Sequence, residues 1–200
     1  DLHRRRHSFP TRRSSDLVKF TCFLDTNVIY PIITRDILLW FAHFELYTPK
    51  WSPDIFNEWA EVMQRKNISE AEIKKRIENV NLAFPGAIVY DYDSIVDTLN
   101  LPDLRDRHVL AAAIKSNAGI IVTNNLKDFP QAYLQRYNIT AKNVDDFLTD
   151  LIDLNHEIAL EAFKMMVSNK KNPDLDEYQV LNVFRENGLK DTADYLHALL

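Results

Sequence analysis

Acidic side chains stand at widely separated points of this chain, each beside a segment that predicts the end of a strand or the start of a helix. Asp25 follows an apolar run, Glu58 lies in a helical segment, and Asp128 follows a second apolar run. Asp103 and Asp106 open another helical segment. Parallel sheets gather such positions at one edge. Because converging carboxylates repel one another and hard oxygen ligands select Mg²⁺ or Mn²⁺, the pattern predicts a divalent-cation site suited to phosphodiester chemistry.

The composition indicates an ordinary globular protein with a real core. The chain has 200 residues, is 46% hydrophobic and contains only 3 glycines, which argues against an all-β fold of tight turns and against glycine-rich phosphate loops. The single cysteine, Cys22, lies in an apolar segment, so we expect an inert buried thiol. No apolar run reaches the length of a membrane span. A cytoplasmic protein is therefore expected.

Residues 1–17 differ in character from the rest of the chain. They carry five arginines and two aspartates without periodicity, and they resemble translated sequencing-adaptor DNA. We interpret them as a non-native basic leader rather than a nucleic-acid-binding arm. Without them the chain is more acidic than its formal net charge of −5, which argues against broad non-specific binding to nucleic acid.

Strands alternate with helices along the first two thirds of the chain, which predicts an α/β fold with a parallel sheet. Predicted strands cover residues 18–24, 45–48, 87–90, 119–123 and 137–140, and predicted helices cover 27–44, a segment from 53 onward, 69–82 and 103–115. From Asn143 the pattern is purely helical, with later helices at 174–187 and 191–200. We therefore expect one domain over residues 18–142 and an α-helical extension over residues 143–200.

Four motifs resemble those of the PIN-domain family, the ribonuclease fold of VapC-type toxins. Leu24–Val28 is similar to the first motif, Glu58 stands at the second acidic position, Asp106–Ala113 is similar to the third motif and Ile121–Phe129 to the fourth. The resemblance implies a three-layer α/β/α fold with a central parallel sheet of four to five strands. It also implies a Mg²⁺- or Mn²⁺-dependent endoribonuclease, and the helical extension resembles that of a longer VapC-like subgroup.

The resemblance implies a set of metal ligands as well. The expected ligands are Asp25, Glu58, Asp106, Asn125, Asp128 and Asp103, of which Asp25, Glu58, Asp106 and Asp128 are also expected to be catalytic. Asn125 stands where the family often has an aspartate, so Asp128 or Asp103 is expected to supply the missing charge. This departure leaves the fourth ligand and the number of bound metals open.

Cations and hydroxyls beside the acidic motifs are predicted to bind the substrate. The predicted substrate-binding residues are Thr26, Asn27, Thr123, Arg105, Arg107 and Lys127. A second basic group is interpreted either as a further grip on the substrate or as solvated helix surface: Arg65, Lys66, Lys74, Lys75 and Arg76. His108 is interpreted as a packed or surface histidine. Asp25→Ala is expected to abolish cleavage and to leave the fold intact or more stable.

The family resemblance implies an RNA substrate, a cognate antitoxin of a type II toxin–antitoxin pair, and a homodimer. Two other functions remain open. An aspartyl-phosphate phosphatase also places an aspartate after a strand, but Asn27 removes its proton donor. A catalytically degenerate PIN-like module that binds RNA or protein is supported by the neutral Asn125.

Overall fold

The protein is described by a computed structural model that covers residues 20–200. The leader at 1–17 and the first two residues of the strand predicted at 18–24 lie outside the described residues. Four parallel strands form the sheet: β1 (Thr21–Leu24), β2 (Thr48–Lys50), β3 (Ile120–Val122) and β4 (Thr140–Lys142). Their order is β2-β1-β3-β4. The predicted α/β fold with a parallel sheet of four to five strands is confirmed, with four strands.

Helices flank this sheet along the described part of the chain. They are α1 (Thr26–Ile29), α2 (Ile32–His43), α3 (Pro53–Arg65), α4 (Glu70–Ala83), α5 (Asp93–Val96), α6 (Arg107–Lys115), α7 (Gln131–Leu134), α8 (Val144–Leu154), α9 (His156–Asn169), α10 (Glu177–Glu186) and α11 (Lys190–Leu199). Short 3-10 turns occupy Leu104–Asp106, Leu126–Asp128 and Gln135–Tyr137. Among residues 20–200, no helix is both long enough and apolar enough to cross a bilayer.

The register of the two central strands brings polar residues together at one edge of the sheet. Leu24 of β1 pairs with Val122 of β3, and the backbone N–H of Asp25 donates to the Val122 carbonyl at 3.1 Å. Asp25 and Thr123, the next residue on each strand, therefore become neighbours although 98 positions separate them. Parallel pairing thus creates the edge at which the sequence predicted a site.

The helix predicted over residues 27–44 is wrong in one respect, because it consists of two helices. Pro31 adopts an extended conformation (φ −67°, ψ 126°) and precedes the first turn of α2. Proline has no N–H to continue the helical ladder, so the chain breaks between α1 and α2. The break leaves Tyr30, the last residue before Pro31, half-buried in the lining of the cavity that also contains Asp25 and Glu58.

Three predicted strands need correction as well. The strand predicted at 45–48 begins only at Thr48, because Glu45 takes a left-handed conformation with φ of 60° as the chain leaves α2. The strand predicted at 87–90 is reduced to one bridge between Ile88 and Trp51. The strand predicted at 137–140 begins at Thr140, after a left-handed turn at Asn138. Isolated apolar runs do not reveal where such turns end.

The helix predicted over residues 103–115 begins differently from the prediction. Residues 104–106 form a 3-10 turn and α6 begins at Arg107. The Asp103 carboxylate accepts the N–H of Arg105 at 2.9 Å and so caps this turn. A tighter first turn changes the angle at which Asp103 and Asp106 leave the backbone.

Predicted capping residues fix the helix that carries Glu58. The Ser52 hydroxyl accepts the N–H of Ile55 at 3.4 Å, and Pro53 occupies the first position of α3, as predicted. Trp59, the residue after Glu58, is buried at 1% exposure in the core. Because successive positions on a helix are about 100° apart, burial of Trp59 leaves Glu58 at the edge of the buried face.

The C-terminal helices are joined to one another by a side-chain cap. The N-terminus of α11 has no cap from its own preceding residue, Leu189. Instead, Asp145 in the first turn of α8 accepts the N–H groups of Asp191 at 2.9 Å and Thr192 at 2.8 Å. A carboxylate at a helix N-terminus satisfies unpaired donors and interacts favourably with the helix dipole.

Candidate active site

Asp25 is held firmly at the end of β1. Its side chain is 6% exposed. Oδ1 accepts the N–H of Thr26 at 2.6 Å, and Oδ2 accepts from Asn27 Nδ2 at 2.6 Å and Thr123 Oγ1 at 2.7 Å. Burial raises the pKa of Asp25, and the hydrogen bonds from Thr123 and Thr26 oppose that rise. Each carboxylate oxygen has two acceptor positions, so Oδ1 retains one for a ligand.

Glu58 is held from two sides. Its Oε1 lies 2.8 Å from His108 Nε2, and its Oε2 accepts the hydroxyl of Thr26. Burial acts to raise the pKa of Glu58, but the hydrogen bonds from His108 and Thr26 outweigh it, so the pKa is lowered. Glu58 is therefore ionised and positioned at neutral pH.

His108 is the residue whose role the sequence interpretation missed. It lies near the start of α6, 50 positions from Glu58, and its Nδ1 is buried without a hydrogen-bond partner in the described part of the protein. Burial acts to lower its pKa, but the hydrogen bond and charge of Glu58, with Asp54 and Asp25, raise it overall. The sole signal in the sequence was a polar residue two positions after Asp106.

We expect His108→Gln to lower the free energy of unfolding by about 1.5–3 kcal/mol at pH 6, the contribution of a hydrogen bond to a charged group. The pKa of His108 is raised in the folded state, so its stabilisation is complete below the unfolded value near 6.5 and is lost as pH rises through the folded pKa. Urea denaturation of metal-free protein at pH 6 and pH 9 measures this difference.

The matched control for this prediction is the exposed His156, substituted His156→Gln. Its effect should be small at both pH values. A His108→Gln effect that does not shrink with rising pH would contradict the charged His108–Glu58 pair.

Three carboxylates meet closely beside these residues. The carboxylate oxygens of Asp103, Asp106 and Asp128 include one from each residue that all lie within 4.8 Å of one another. Oδ2 of Asp106 is buried and has no hydrogen-bond partner among the described residues. Burial, followed by the charges of Asp25, Asp103 and Asp128, raises the pKa of Asp106 to about 6. The ionised form of Asp106 is therefore disfavoured in this cluster, and an added positive charge would stabilise that form.

Asn125 contacts the same cluster through its amide. Its Nδ2 donates to Asp128 Oδ2, and its backbone N–H donates to Thr123 Oγ1 at 3.0 Å. Arg105 lies on the solvent side and pairs with Asp103 at 2.7 Å. The side-chain hydrogen bond from Arg105 lowers the pKa of Asp103. The cluster thus combines four oxygen-bearing side chains with one exposed cation.

One cleft of about 670 Å³ collects most of the predicted ligands. Its lining residues include Asp25, Glu58, Asp103, Asp106 and Asn125. Asp25 and Glu58 lie outside the close group of three, whereas Asp103 and Asp128 lie inside it. The acidic residues that the sequence singled out therefore converge on one region, but the tightest spacing belongs to Asp103, Asp106 and Asp128.

The predicted substrate-binding residues separate into two groups. Thr123, predicted to bind substrate, is 0% exposed and donates its hydroxyl to Asp25. Thr26 is likewise buried and committed to Glu58, and Asn27 donates to Asp25 while its Oδ1 accepts the N–H of Asn124. These three side chains hold carboxylates in place.

The predicted cations behave differently from these polar residues. Arg105 lines the cleft, and Lys127 is exposed on the turn that ends at Asp128. Arg107 donates from Nε to the Leu104 carbonyl at 3.1 Å. Arg65 joins Arg105 in the cleft lining and forms an exposed pair with Glu61 at 3.3 Å. Arg65 and Arg105 are therefore the cations best placed to contact a phosphate.

The residues present fit a hard divalent cation. Every candidate ligand is a carboxylate or amide oxygen, the donor type that Mg²⁺ and Mn²⁺ prefer. The buried Asp106 Oδ2 without a partner supplies a ligand atom that nothing else in the described protein satisfies. Unpartnered buried polar atoms are rare in folded proteins and call for such an explanation.

Comparison with known proteins shows what this chain is similar to. A family model described as "PIN domain" matches residues 21–127, and one described as "VapC50 C-terminal domain" matches residues 144–198. A curated relative, "Putative ribonuclease VapC50" of Mycobacterium tuberculosis (strain ATCC 25618 / H37Rv), is 37% identical over 100 residues, which cover 50% of this chain and 59% of the relative. The chain thus matches less than two thirds of that relative's length. No solved structure matches significantly.

The first of these family matches covers more than half of the chain and includes β1, α3, α6, β3, Asp103 and Asp106; it ends at Lys127, one position before Asp128. The second covers the helices α8 to α11. The chain therefore belongs to the PIN-domain family and resembles VapC-type proteins that carry a C-terminal helical extension.

Proposed function

We propose that this chain is a Mg²⁺- or Mn²⁺-dependent endoribonuclease that hydrolyses phosphodiester bonds of RNA. The observation that carries the proposal is the cluster of Asp103, Asp106 and Asp128 with its unpartnered, buried Asp106 oxygen. Leaving such an oxygen unsatisfied costs about 1–3 kcal/mol, a cost that a bound cation would remove. The relative named as a ribonuclease supports the same activity.

Different side chains in and around the cleft have different roles in the proposed reaction. Asp103, Asp106 and Asp128 would hold the cation. Asp25 Oδ1 and the Glu58 carboxylate, which belong to residues lining the cleft beside Asp103 and Asp106, would be further ligands. When bound, the cation would neutralise phosphate charge and lower the pKa of a water molecule.

The remaining side chains position the ligands and the substrate. Thr26 and His108 hold Glu58 in its ionised form, and Thr123 holds Asp25. Arg65 and Arg105 would bind the non-bridging phosphate oxygens by charge-assisted hydrogen bonds. The three roles, ligand, positioning and phosphate binding, thus fall on different side chains that line one cleft or lie directly behind its lining.

Cation dependence provides the direct test of this proposal. Purified protein and unstructured single-stranded RNA should give cleavage with Mn²⁺ or Mg²⁺, none with EDTA, and recovery when Mn²⁺ is added back. Mn²⁺ at about 100 times its dissociation constant should also raise the free energy of unfolding by about 2.7 kcal/mol. Cleavage that persists in EDTA would contradict the proposal.

A catalytically degenerate module that binds RNA or protein remains the second candidate. It is favoured by Asn125, a neutral amide at a position where the family often has an aspartate, whose Nδ2 donates to Asp128. This function predicts RNA or protein binding without stabilisation by Mn²⁺ and without cleavage. The same Mn²⁺ titration therefore separates the two functions.

We further infer that the chain is the toxin of a type II toxin–antitoxin pair, inhibited by a cognate antitoxin, and that it forms a homodimer. The gap between the two family matches, at residues 128–143, supports a division into a nuclease domain at 18–142 and an extension at 143–200. Induced expression in bacteria should arrest growth for the wild type and not for Asp106→Asn. Light scattering measures the oligomeric state.

A further inference from the structure

A second groove, of about 560 Å³, lies beside the acidic cleft and has the opposite charge. Four cations line it, Arg35, Lys66, Arg76 and Lys170, and no carboxylate belongs to its described lining. Apolar side chains, Trp59 among them, complete its lining. We call this site the basic groove. A cation-lined, carboxylate-free groove is notable in a chain whose formal net charge is −5.

The cations of the basic groove are only partly neutralised. Arg76 pairs with Glu72 at 3.0 Å, and Lys170 pairs with Asp36 at 3.0 Å. Lys66 forms no ion pair with the described residues, and its Nζ lies 4.8 Å from the centre of the Tyr30 ring. Such contacts leave the ammonium available to an anion.

Arg35 is a half-buried cation of the basic groove. Its guanidinium lies 4.9 Å from the centre of the Trp59 ring and donates to the carbonyls of Ile29 at 3.2 Å and Tyr30 at 3.4 Å. Burial lowers the pKa of Arg35; Asp36 opposes this effect and the like charge of Arg76 adds to it. An anion in the groove would offset the repulsion between these two arginines.

The basic groove adjoins the acidic cleft. Tyr30 lines both. At the end of α3, Arg65 lines the cleft and the next residue, Lys66, lines the groove. A polymer bound in the cleft would therefore have a line of cations, Arg65 and then Lys66, leading toward the groove.

We propose that the basic groove binds the single-stranded segment of RNA that flanks the scissile phosphate, an inference that rests on the proposed ribonuclease activity. Lys66, Arg76 and Lys170 contact backbone phosphates. Lys170, Leu175 and Val183 come from the C-terminal helices and their connecting segment. The extension thus forms one wall of the substrate site.

The structure divides the basic group predicted from the sequence, which supplies a matched control. Lys66 and Arg76 line the basic groove, whereas Lys74 and Lys75 of the same helical region are exposed and do not line it. The double variants Lys66→Ala/Arg76→Ala and Lys74→Ala/Lys75→Ala therefore remove the same charge from different faces. Thermal unfolding checks that both remain folded.

Binding is measured in EDTA with an Asp106→Asn background, so that cleavage does not intervene. Fluorescence anisotropy follows poly-uridine oligomers of about 4 and about 16 nucleotides, the range of single-strand site sizes. Each lost phosphate contact should lower the salt slope by about 0.7, so Lys66→Ala/Arg76→Ala should lower it by about 1.4 and weaken the longer oligomer roughly 20-fold at 0.1 M salt. The Lys74→Ala/Lys75→Ala variant should change affinity by about twofold or less.

Equal losses in the two double variants, or no loss in Lys66→Ala/Arg76→Ala, would overturn the RNA assignment. If Lys66→Ala/Arg76→Ala kept its affinity for RNA but lost affinity for poly-glutamate, that result would also overturn the RNA assignment. It would assign the groove to an acidic protein segment. Cleavage by the wild-type protein in Mn²⁺ is scored separately. If the wild-type protein did not cleave RNA but Lys66→Ala/Arg76→Ala still bound RNA more weakly than Lys74→Ala/Lys75→Ala, the proposed activity would be wrong. The groove would then still be an RNA-binding site.

Discussion

Asp106→Asn should reduce RNA cleavage by about 10²–10³-fold, the usual scale for loss of a principal electrostatic group, and should stabilise the metal-free protein at pH 8. The pKa of Asp106 is raised to about 6, so ionisation costs folding free energy as pH rises from the unfolded value near 3.8 through 6. Because the residue is only half-buried, we expect a gain on the order of 1 kcal/mol after solvent screening.

Urea denaturation in EDTA at pH 5 and pH 8 measures this effect. The gain from Asp106→Asn should be larger at pH 8, because at pH 5 the folded wild-type protein keeps Asp106 largely protonated and avoids much of the cost of ionising it, whereas at pH 8 the carboxyl must be ionised. Asp153→Asn, at an exposed position on α8, is the control and should change stability little. Full cleavage activity in Asp106→Asn would show that Asp106 has no role in catalysis.

Asp25→Ala should also abolish cleavage, but it should destabilise the protein by about 2–5 kcal/mol. The reason is that three donors, Thr26 N–H, Asn27 Nδ2 and Thr123 Oγ1, lose their acceptor in a buried region. Each unsatisfied buried donor costs about 1–3 kcal/mol, and relaxation recovers part of that cost. These hydrogen bonds lead us to expect a loss of stability, in place of the unchanged or increased stability that was expected from the sequence.

Asp25→Asn provides the control for this second prediction. It keeps the size of the side chain and one carbonyl acceptor, so its loss of stability should be smaller than that of Asp25→Ala. Denaturation midpoints with unchanged slopes give the comparison. An Asp25→Ala protein as stable as the wild type would mean that these hydrogen bonds do not hold the site together.

The two aspartates thus have opposite relations to the fold although both belong to one cleft. Asp25 is surrounded by donors that need its charge or its acceptor positions, whereas Asp106 faces other carboxylates and has a buried oxygen without a donor. Burial raises the pKa of both groups. The difference lies in what surrounds each carboxylate, which decides whether its removal costs or gains stability.

Much of the fold followed from local patterns in the sequence. The apolar run before Asp25 and that before Thr123 predicted buried parallel strands, and Ser52 with Pro53 predicted the start of the helix that carries Glu58. Such patterns are reliable because burial and capping act within a few residues of one another. The break at Pro31 and the loss of a strand at 87–90 depended instead on how the chain packs beyond those few residues.

Residue types and strand direction are local properties, so the chain's chemically active side chains, and their meeting at one edge of a parallel sheet, could be predicted without coordinates. The oxygens that meet within 4.8 Å, the contact of His108 with Glu58 across 50 positions, and the wall that the C-terminal helices add to a basic groove became visible in the folded protein alone. These distances depend on the angles at which α3, α6 and the extension pack. No periodicity in the chain encodes those angles, since they result from the shapes of many buried side chains together.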